Sequence, residues 1–527
     1  MHKKVQRFML APMVAAMALA ATSAFAAKTP DSLGVYGWAA TNGGTTGGHG
    51  ADAAHTYTVS TRAQLIKALM PDAVIAPNGT FTSAAGPDAT KKIIYIKGKI
   101  NLSHDGAGRE LKYEHFKDPG YDFNAYVAAY KPSVWTANPA NWNATTNRPL
   151  LPSGPIEDAR KRSSANQAAV IVIPVGSNTS IIGLSGDARI INGTLRVDGK
   201  TNVVIRNITF EDAFDHFPEW DPTDSFSLTT PASPGCQATY VDASTGPQKC
   251  PGGRWNTEFD MIAIHNSKNV WVDHCTFDDG GREDWKYPSV FEAPHRGVDY
   301  LVVRHDGAVD VTGSSDFVTI SANLFENHDK TNLLGSSNTA TAANGWGALS
   351  ITVANNWYEN AGQRLPRVRF GKVHVYNNYF YGRIGYLGQY APMSDIYMPN
   401  NRFLYGIGIG NLAKIYAENN VYEIKNAPSS GTDAKVDDSV MFFNWYGANQ
   451  TINGVLEKTY FYDSGTLLNG NPRSITAAAQ ATAVVQGKVP LESTPTIWTP
   501  SSNYSYTLTP SKDVKLKVQK SAGAGKL

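Results

Sequence analysis

One asparagine, returning at a fixed place in a short alternating pattern, constrains this chain more than any other feature. Val318-Thr319-Ile320-Ser321-Ala322-Asn323-Leu324-Phe325 aligns with Ile351-Thr352-Val353-Ala354-Asn355-Asn356-Trp357-Tyr358 and with Val373-His374-Val375-Tyr376-Asn377-Asn378-Tyr379-Phe380. Two further copies end in Asn401-Arg402-Phe403 and Asn420-Val421-Tyr422, so the shared Asn stands at 323, 356, 378, 401 and 420. Earlier copies, Val203 to Phe210 and Val270 to Phe277, place Ile208 and Cys275 at that position. Each copy alternates apolar and polar residues and then turns, which reads as a short strand with an apolar inward face. Units of about 20 to 25 residues are too small to form a core alone and must stack into a solenoid. Equivalent residues then lie above one another, so asparagine amides can hydrogen-bond from coil to coil while aliphatic rows fill the interior.

This predicts an all-β, single-domain parallel solenoid. The segment Thr61 to Leu69, with Ser60 or Thr61 as N-cap, predicts a helix that covers the exposed first coil. The longer intervals from 208 to 275 and from 275 to 323 predict loops inserted between coils, where binding residues collect. One sizeable insertion runs from Phe217 to Asp224 and on through the loop between Cys236 and Cys250; a solvated surface loop is its expected role, with walling a groove or binding another ion as the alternatives. After about residue 428 the ladder is lost, and Pro490, Pro495, Pro500 and Pro510 suggest tail strands and loops folded back over the helix. Residues 27–90 form the N-terminal cap region.

Lys3, Lys4 and Arg7 lead into an apolar run from Phe8 to Ala21 and then Ala24-Phe25-Ala26, the layout of a secretory signal cleaved after Ala26. The working protein is therefore expected outside the cytoplasm, extracellular or periplasmic, with no membrane partner. In an oxidising compartment Cys236 and Cys250 would close a Pro/Gly/Ser-rich loop as a disulfide, while Cys275, in an apolar strand, is expected as a buried free thiol. A net charge of only +2 excludes a strongly basic nucleic-acid binder but leaves room for a local basic patch. A monomer is the expected state.

Such a patch exists in Gln363-Arg364-Leu365-Pro366-Arg367-Val368-Arg369-Phe370, with three guanidinium groups within six residues. Arginine offers a planar fork of donors matched to carboxylates, so the segment reads as a site for a polyanion or as a strand edge protected by charge. Acidic positions accompany it: Glu258 and Asp260, then Asp306 and Asp310 around Gly307. On a straight strand the last two would lie about 13 Å apart, so a shared cation requires a bend, easiest at Gly307, with Asp260 closing in from the neighbouring coil. Carboxylates without cysteine or histidine partners favour a hard cation, and calcium is the one a secreted protein meets most often. The competing reading is a set of solvated turn residues.

Trp271-Val272-Asp273-His274, His305 to Asp310, Asn327-His328-Asp329-Lys330 and Arg364 to Arg369, in this order, resemble the pectate lyases of polysaccharide lyase family one. The resemblance extends from Tyr36-Gly37-Trp38-Ala39 to the tail at Val514 to Gly525. It implies a right-handed parallel β-helix and Ca2+-dependent β-elimination in polygalacturonate. Asp260, Asp306 and Asp310 look like calcium ligands, with Glu258 as a fourth. Arg364 matches the catalytic base; Lys330 and Arg369 match residues that bind uronate carboxylates. Arg367, Asp273 and His274 are similar to family positions and are read as supports of local geometry. A guanidinium base is demanding, because arginine's pKa exceeds about 12; calcium, Lys330 and Arg369 would have to favour its neutral form. The alternatives are a pectin lyase on methyl-esterified substrate, which would lack the acidic cluster, and a non-catalytic polysaccharide-binding β-helix.

Overall fold

In the computed structural model, residues 34–527 are described except 146–147, 225–226, 229–240, 243–245, 248–249, 293–294, 296–299, 385–402, 427–435 and 493–497. Three long sheets wrap the chain into a right-handed parallel β-helix. The first runs in ten strands from Thr56–Val59 to Tyr460–Ser464, and the second also has ten. The third has eight: Val172–Pro174, Thr194–Asp198, Ile262–His265, Val309–Thr312, Leu333–Leu334, Arg367–Val368, Ile407–Ile409 and Phe442–Asn444. Within each coil the chain passes from first sheet to second, crosses a variable loop to the third, and returns. Register is strict, with Val270 beside Val318, Val318 beside Ile351 and Ile351 beside Val373.

The corner between first and second sheets explains the Asn pairs. Its leading residue takes the left-handed conformation, with φ of 57° at Asn355, 51° at Asn377 and 49° at Asn419. Asparagine tolerates that region better than most residues with a Cβ. The following residue then points inward. The Cys275 amide donates to Asn323 Oδ1 at 2.8 Å, Asn323 N to Asn356 Oδ1 at 2.9 Å, Asn356 N to Asn378 Oδ1 at 3.0 Å, and Asn378 N to Asn420 Oδ1 at 3.1 Å. Each Nδ2 also reaches a carbonyl, as Asn356 does to Ile320 at 3.0 Å. Every buried amide atom of this row is thus satisfied by its neighbours. Beside it runs a stack of rings, Phe210, Phe277, Phe325, Tyr358, Phe380 and Tyr422, with centroids 4.3–5.3 Å apart and nearly parallel planes.

Asn378 hands directly to Asn420, so the expected rung at Asn401 is not interposed; Asn401 itself lies outside the described residues. Cys275 is a buried free thiol at the head of the row. Cys236 lies outside the described residues and only the backbone is described at Cys250, so their pairing does too. The signal segment 1–26 is likewise outside them.

At the N-terminal end, helix Arg62–Leu69 forms as expected, with the Thr61 side chain accepting from Gln64 N and Leu65, Ile66 and Leu69 buried. A longer helix, Pro155–Ile171, was not foreseen. Residues 36–48 do not cap the end; they run along the outside of the first sheet, where Trp38 N donates to Thr352 Oγ1 and Gly48 N to Ser180 Oγ. The tail is more ordered than strands and loops alone. Phe442–Asn444, Tyr460–Ser464 and Leu467–Leu468 complete a last coil, and helices Ile475–Val485 and Ser511–Ser521 pack on the solenoid through Ala479 and Ala483, and through Val514 and Val518. Among the described residues no helix is long and apolar enough to cross a membrane.

Replacing Asn356 by Ala removes the side-chain partner of the buried Asn323 amide and of the buried Ile320 carbonyl, both on the preceding coil. The substitution is expected to cost about 2–4 kcal/mol, read as a lowered denaturant midpoint with unchanged slope.

Candidate active site

The variable loops lie beside the third sheet, and parallel pairing continues into them. Gly307 bridges Lys330, and Lys330 bridges Gln363, so Asp306, Lys330 and Arg364 occupy successive coils on one flank. Met261 N donates to Gly307 O at 3.0 Å, which sets Asp260 on the coil before.

Gly307 is where the aspartates converge. Its amide donates to Asp260 Oδ1 at 2.9 Å, and a Cβ there would lie 2.4 Å from Asp310 Oδ1 and 2.7 Å from Asp260 Oδ1. Asp310 Oδ1 also accepts from Leu333 N at 2.9 Å. Lys330, almost wholly buried, donates its Nζ to Asp306 Oδ1 at 2.8 Å. One terminal nitrogen of Arg364 sits 3.9 Å from Asp306 Oδ1 and 4.0 Å from Asp310 Oδ2. Burial, then Asp310 and Asp306, raises the Asp260 carboxyl well above its ordinary range; burial, with Asp306 adding, pushes Asp310 to about 7. Asp306 goes the other way: burial alone would raise it, but Lys330 and Arg364 hold it low.

Arg364 takes φ 60°, and the peptide to Pro366 is cis, so the backbone turns between Arg364 and the strand Arg367–Val368. Among the described residues its Nε has no hydrogen-bond partner. Burial alone would lower the guanidinium, yet Asp306 and Asp310 hold it above its ordinary value. The sense is opposite to what a neutral base needs, because the charges of the two aspartates outweigh the effect of burial. Arg369 donates to Asn338 Oδ1 and the Gly335 carbonyl, each at 2.8 Å; burial, then Arg367 and Arg364, pushes it down to about 9. An anion placed there would raise it again.

Glu258 faces elsewhere. It accepts from Ser164 Oγ at 3.1 Å and lies 3.8 Å from Arg160, which is held in a two-pronged pair by Glu157 on the same helix. Asp273 accepts from Arg206, Ser321 and His274 at the corner of the first sheet, a supporting position for both Asp273 and His274. A second network escaped the sequence: His305 lies between Asp284 Oδ1 at 2.9 Å and Asp212 Oδ1 at 3.0 Å, with His328 bonded to Asp279 at 2.6 Å. Asp279, Asp284 and His305 offer donor atoms all within 4.8 Å of one another. Burial alone would lower His305, but Asp279 and Asp284 hold it protonated far above its ordinary range, so this cluster already contains its own cation. No local spacing signals it, because its members come from three inter-coil loops and stand far apart within them.

Residues 154–527 match the model of a family described as pectate lyase. The chain is 36% identical over 491 residues to a pectate lyase of Bacillus subtilis (strain 168), covering 93% of this chain and 92% of that one. It is 30% identical over 520 residues to pectate lyase E of Dickeya chrysanthemi, covering 98% and 97%. Among solved structures, a pectate lyase from Acidovorax avenae subsp citrulli superposes with a TM-score of 0.79 at 35% identity, covering 97% of this chain and 99% of that one. A pectate lyase bound to a hexasaccharide superposes with a TM-score of 0.68 at 34% identity, covering 93% and 97%. These matches over nearly the whole chain make this β-helix a polysaccharide lyase. This chain belongs to the pectate lyase family.

Gly307→Ala forces the Asp260 and Asp310 carboxylates apart. Lyase activity is expected to fall about a hundredfold while far-ultraviolet circular dichroism stays unchanged.

Proposed function

We propose that the enzyme is a secreted, calcium-dependent lyase that cleaves α-1,4-linked polygalacturonate by β-elimination. The observation that carries this reading is the convergence of Asp260 and Asp310 over Gly307, with Lys330 and Arg364 on the same flank. Their donor set is all oxygen, and the repulsion between those carboxylates is what a hard divalent cation relieves, so the residues fit calcium. Asp260, Asp306 and Asp310 would hold it, while Glu258, the fourth ligand suggested by the resemblance, is turned toward Ser164 and Arg160. Bound there, calcium would supply a positive charge that draws density from a galacturonate carboxylate and acidifies the C5 proton.

The side chains do the rest. Lys330 and Arg369 bind carboxylates and stabilise the negative charge that develops at C5. Arg364 removes the C5 proton; the freed pair forms the C4–C5 double bond as the C4–O bond breaks, and the departing oxygen takes up a proton. Water takes no part in cleaving the bond. The aspartates that hold Arg364 protonated are the proposed calcium ligands, and sharing their charge with the cation would free the guanidinium to lose its proton. Acidic residues in this number favour de-esterified pectate over methyl-esterified pectin. The apolar run after Lys3, Lys4 and Arg7 supports export.

On polygalacturonate with calcium, ultraviolet absorbance of the unsaturated product is expected to rise, to stop on chelation and to resume when calcium is restored. An undiminished rise under chelator would sink the metal assignment, and reducing ends without absorbance would identify a hydrolase. Arg364→Ala is expected to lower turnover about a thousandfold with little change in unfolding midpoint. Asp306→Ala should raise the calcium concentration needed for half-maximal rate. Because the base must lose its proton, activity should increase from neutral to alkaline pH; an acidic optimum at saturating calcium would contradict the assignment.

A further inference from the structure

The outward row of the third sheet is the floor of the groove, and it continues beyond the proposed catalytic groups. Asp310 is followed in it by Leu333, Arg367, Gly408 and Phe443, of which the last four are register partners on successive strands. Four steps of about 4.8 Å put Phe443 about 19 Å from Asp310. Two residues along, Trp445 occupies the parallel row, its amide bonded to the Ile409 carbonyl.

At this end the floor is cleared and then plated. A Cβ on Gly408 would lie 3.1 Å from Arg367 Cγ, and one on Gly410 would lie 2.9 Å from Arg369 Cγ. Beyond them Phe443 and Trp445 are 39% and 36% exposed, with ring centroids 4.4 Å apart. The Arg367 guanidinium lies 4.3 Å over the Trp445 ring. Among the described residues Arg367 Nε has no hydrogen-bond partner, and neither has the hydroxyl of Tyr405, which is 4% exposed and packs 5.5 Å from Phe443.

We propose that Phe443 and Trp445, with Arg367 and the Tyr405 hydroxyl, form a distal subsite that binds one uronate ring of the polysaccharide chain, several units from the bond cleaved. The apolar C–H face of a pyranose ring lies on the aromatic plate, and its carboxylate meets the guanidinium above that plate. Tyr405 and Arg367 donate to oxygens that only a polar ligand supplies, which a purely apolar partner would leave unsatisfied. Arg367, first read as a support, becomes a binding residue through its position on the floor.

The proposal rests on the polygalacturonate reading above. Its test compares trigalacturonate, hexagalacturonate and the polymer as substrates for wild type and Trp445→Ala, following substrate loss by chromatography so that the chemistry of cleavage does not enter. KM is expected to rise about tenfold for hexamer and polymer and less than about twofold for trimer, equivalent to roughly 1.4 kcal/mol of binding. Trp445→Phe should restore most of the loss, and Phe443→Ala should repeat the pattern should Trp445→Ala fail to fold. An equal loss on short and long chains, or no loss on either, overturns the subsite while leaving the reaction intact. Wild-type inertness toward all three substrates overturns the polygalacturonate reading, and the subsite with it.

Discussion

Everything in this molecule depends on backbone pairing that advances one coil at a time. Parallel strands lie about 4.8 Å apart, so residues an entire coil apart in sequence become side-chain neighbours. That spacing is short enough for an amide to bond the next amide and for a ring to rest on the next ring. It is also short enough for Asp260, Asp306, Lys330 and Arg364, drawn from four coils, to form one group. A frameshift of one residue at any corner would turn the inward row outward. The left-handed residues before each ladder position are what prevent it.

Two acid clusters stand close together, and their charge balance separates them. Asp212, Asp279 and Asp284 share protonated His305, with His328 on Asp279 and Arg282 on Asp212 at 2.7 Å. This network joins three loops and leaves little unmet charge. Around Gly307 the account is different, because Asp306 is taken by Lys330 while Asp260 and Asp310 face one another. Geometry alone would favour the first cluster as a metal site; the availability of negative charge favours the second.

The parts legible in the sequence were those where one side chain decides a local outcome. The Asn at 323, 356, 378 and 420 carried the ladder, Thr61 announced its helix, and the arginine and aspartate motifs named residues that the fold brings together. Less visible were features whose logic is tertiary. Helix Pro155–Ile171 buries Glu157, Arg160, Ser163, Ser164 and Gln167, so its inner face reads as polar and gives no amphipathic period. Those polar groups are satisfied partly within the helix, as Arg160 is by Glu157, and partly by distant loops, as Arg160 is by the Phe217 carbonyl at 2.9 Å. Glu258 looked like a neighbour of Asp260 by number, but that helix draws it aside. The upward shift of Arg364 comes from its nearness to Asp306 and Asp310, which spacing does not encode.

The strap over the first sheet alters how such a stack comes apart. A bare solenoid is a one-dimensional array whose end coils can fray separately. Here residues 36–48 fasten the coils of Ser180, Asn202, Asn269, Thr319 and Thr352 to a single strip of chain, and the C-terminal Gly525 bonds back to Asn207. Losing one coil therefore loosens fasteners shared with several others. The repeats are joined like pages sewn to a spine, and the barrier to unravelling belongs to the binding rather than to any page.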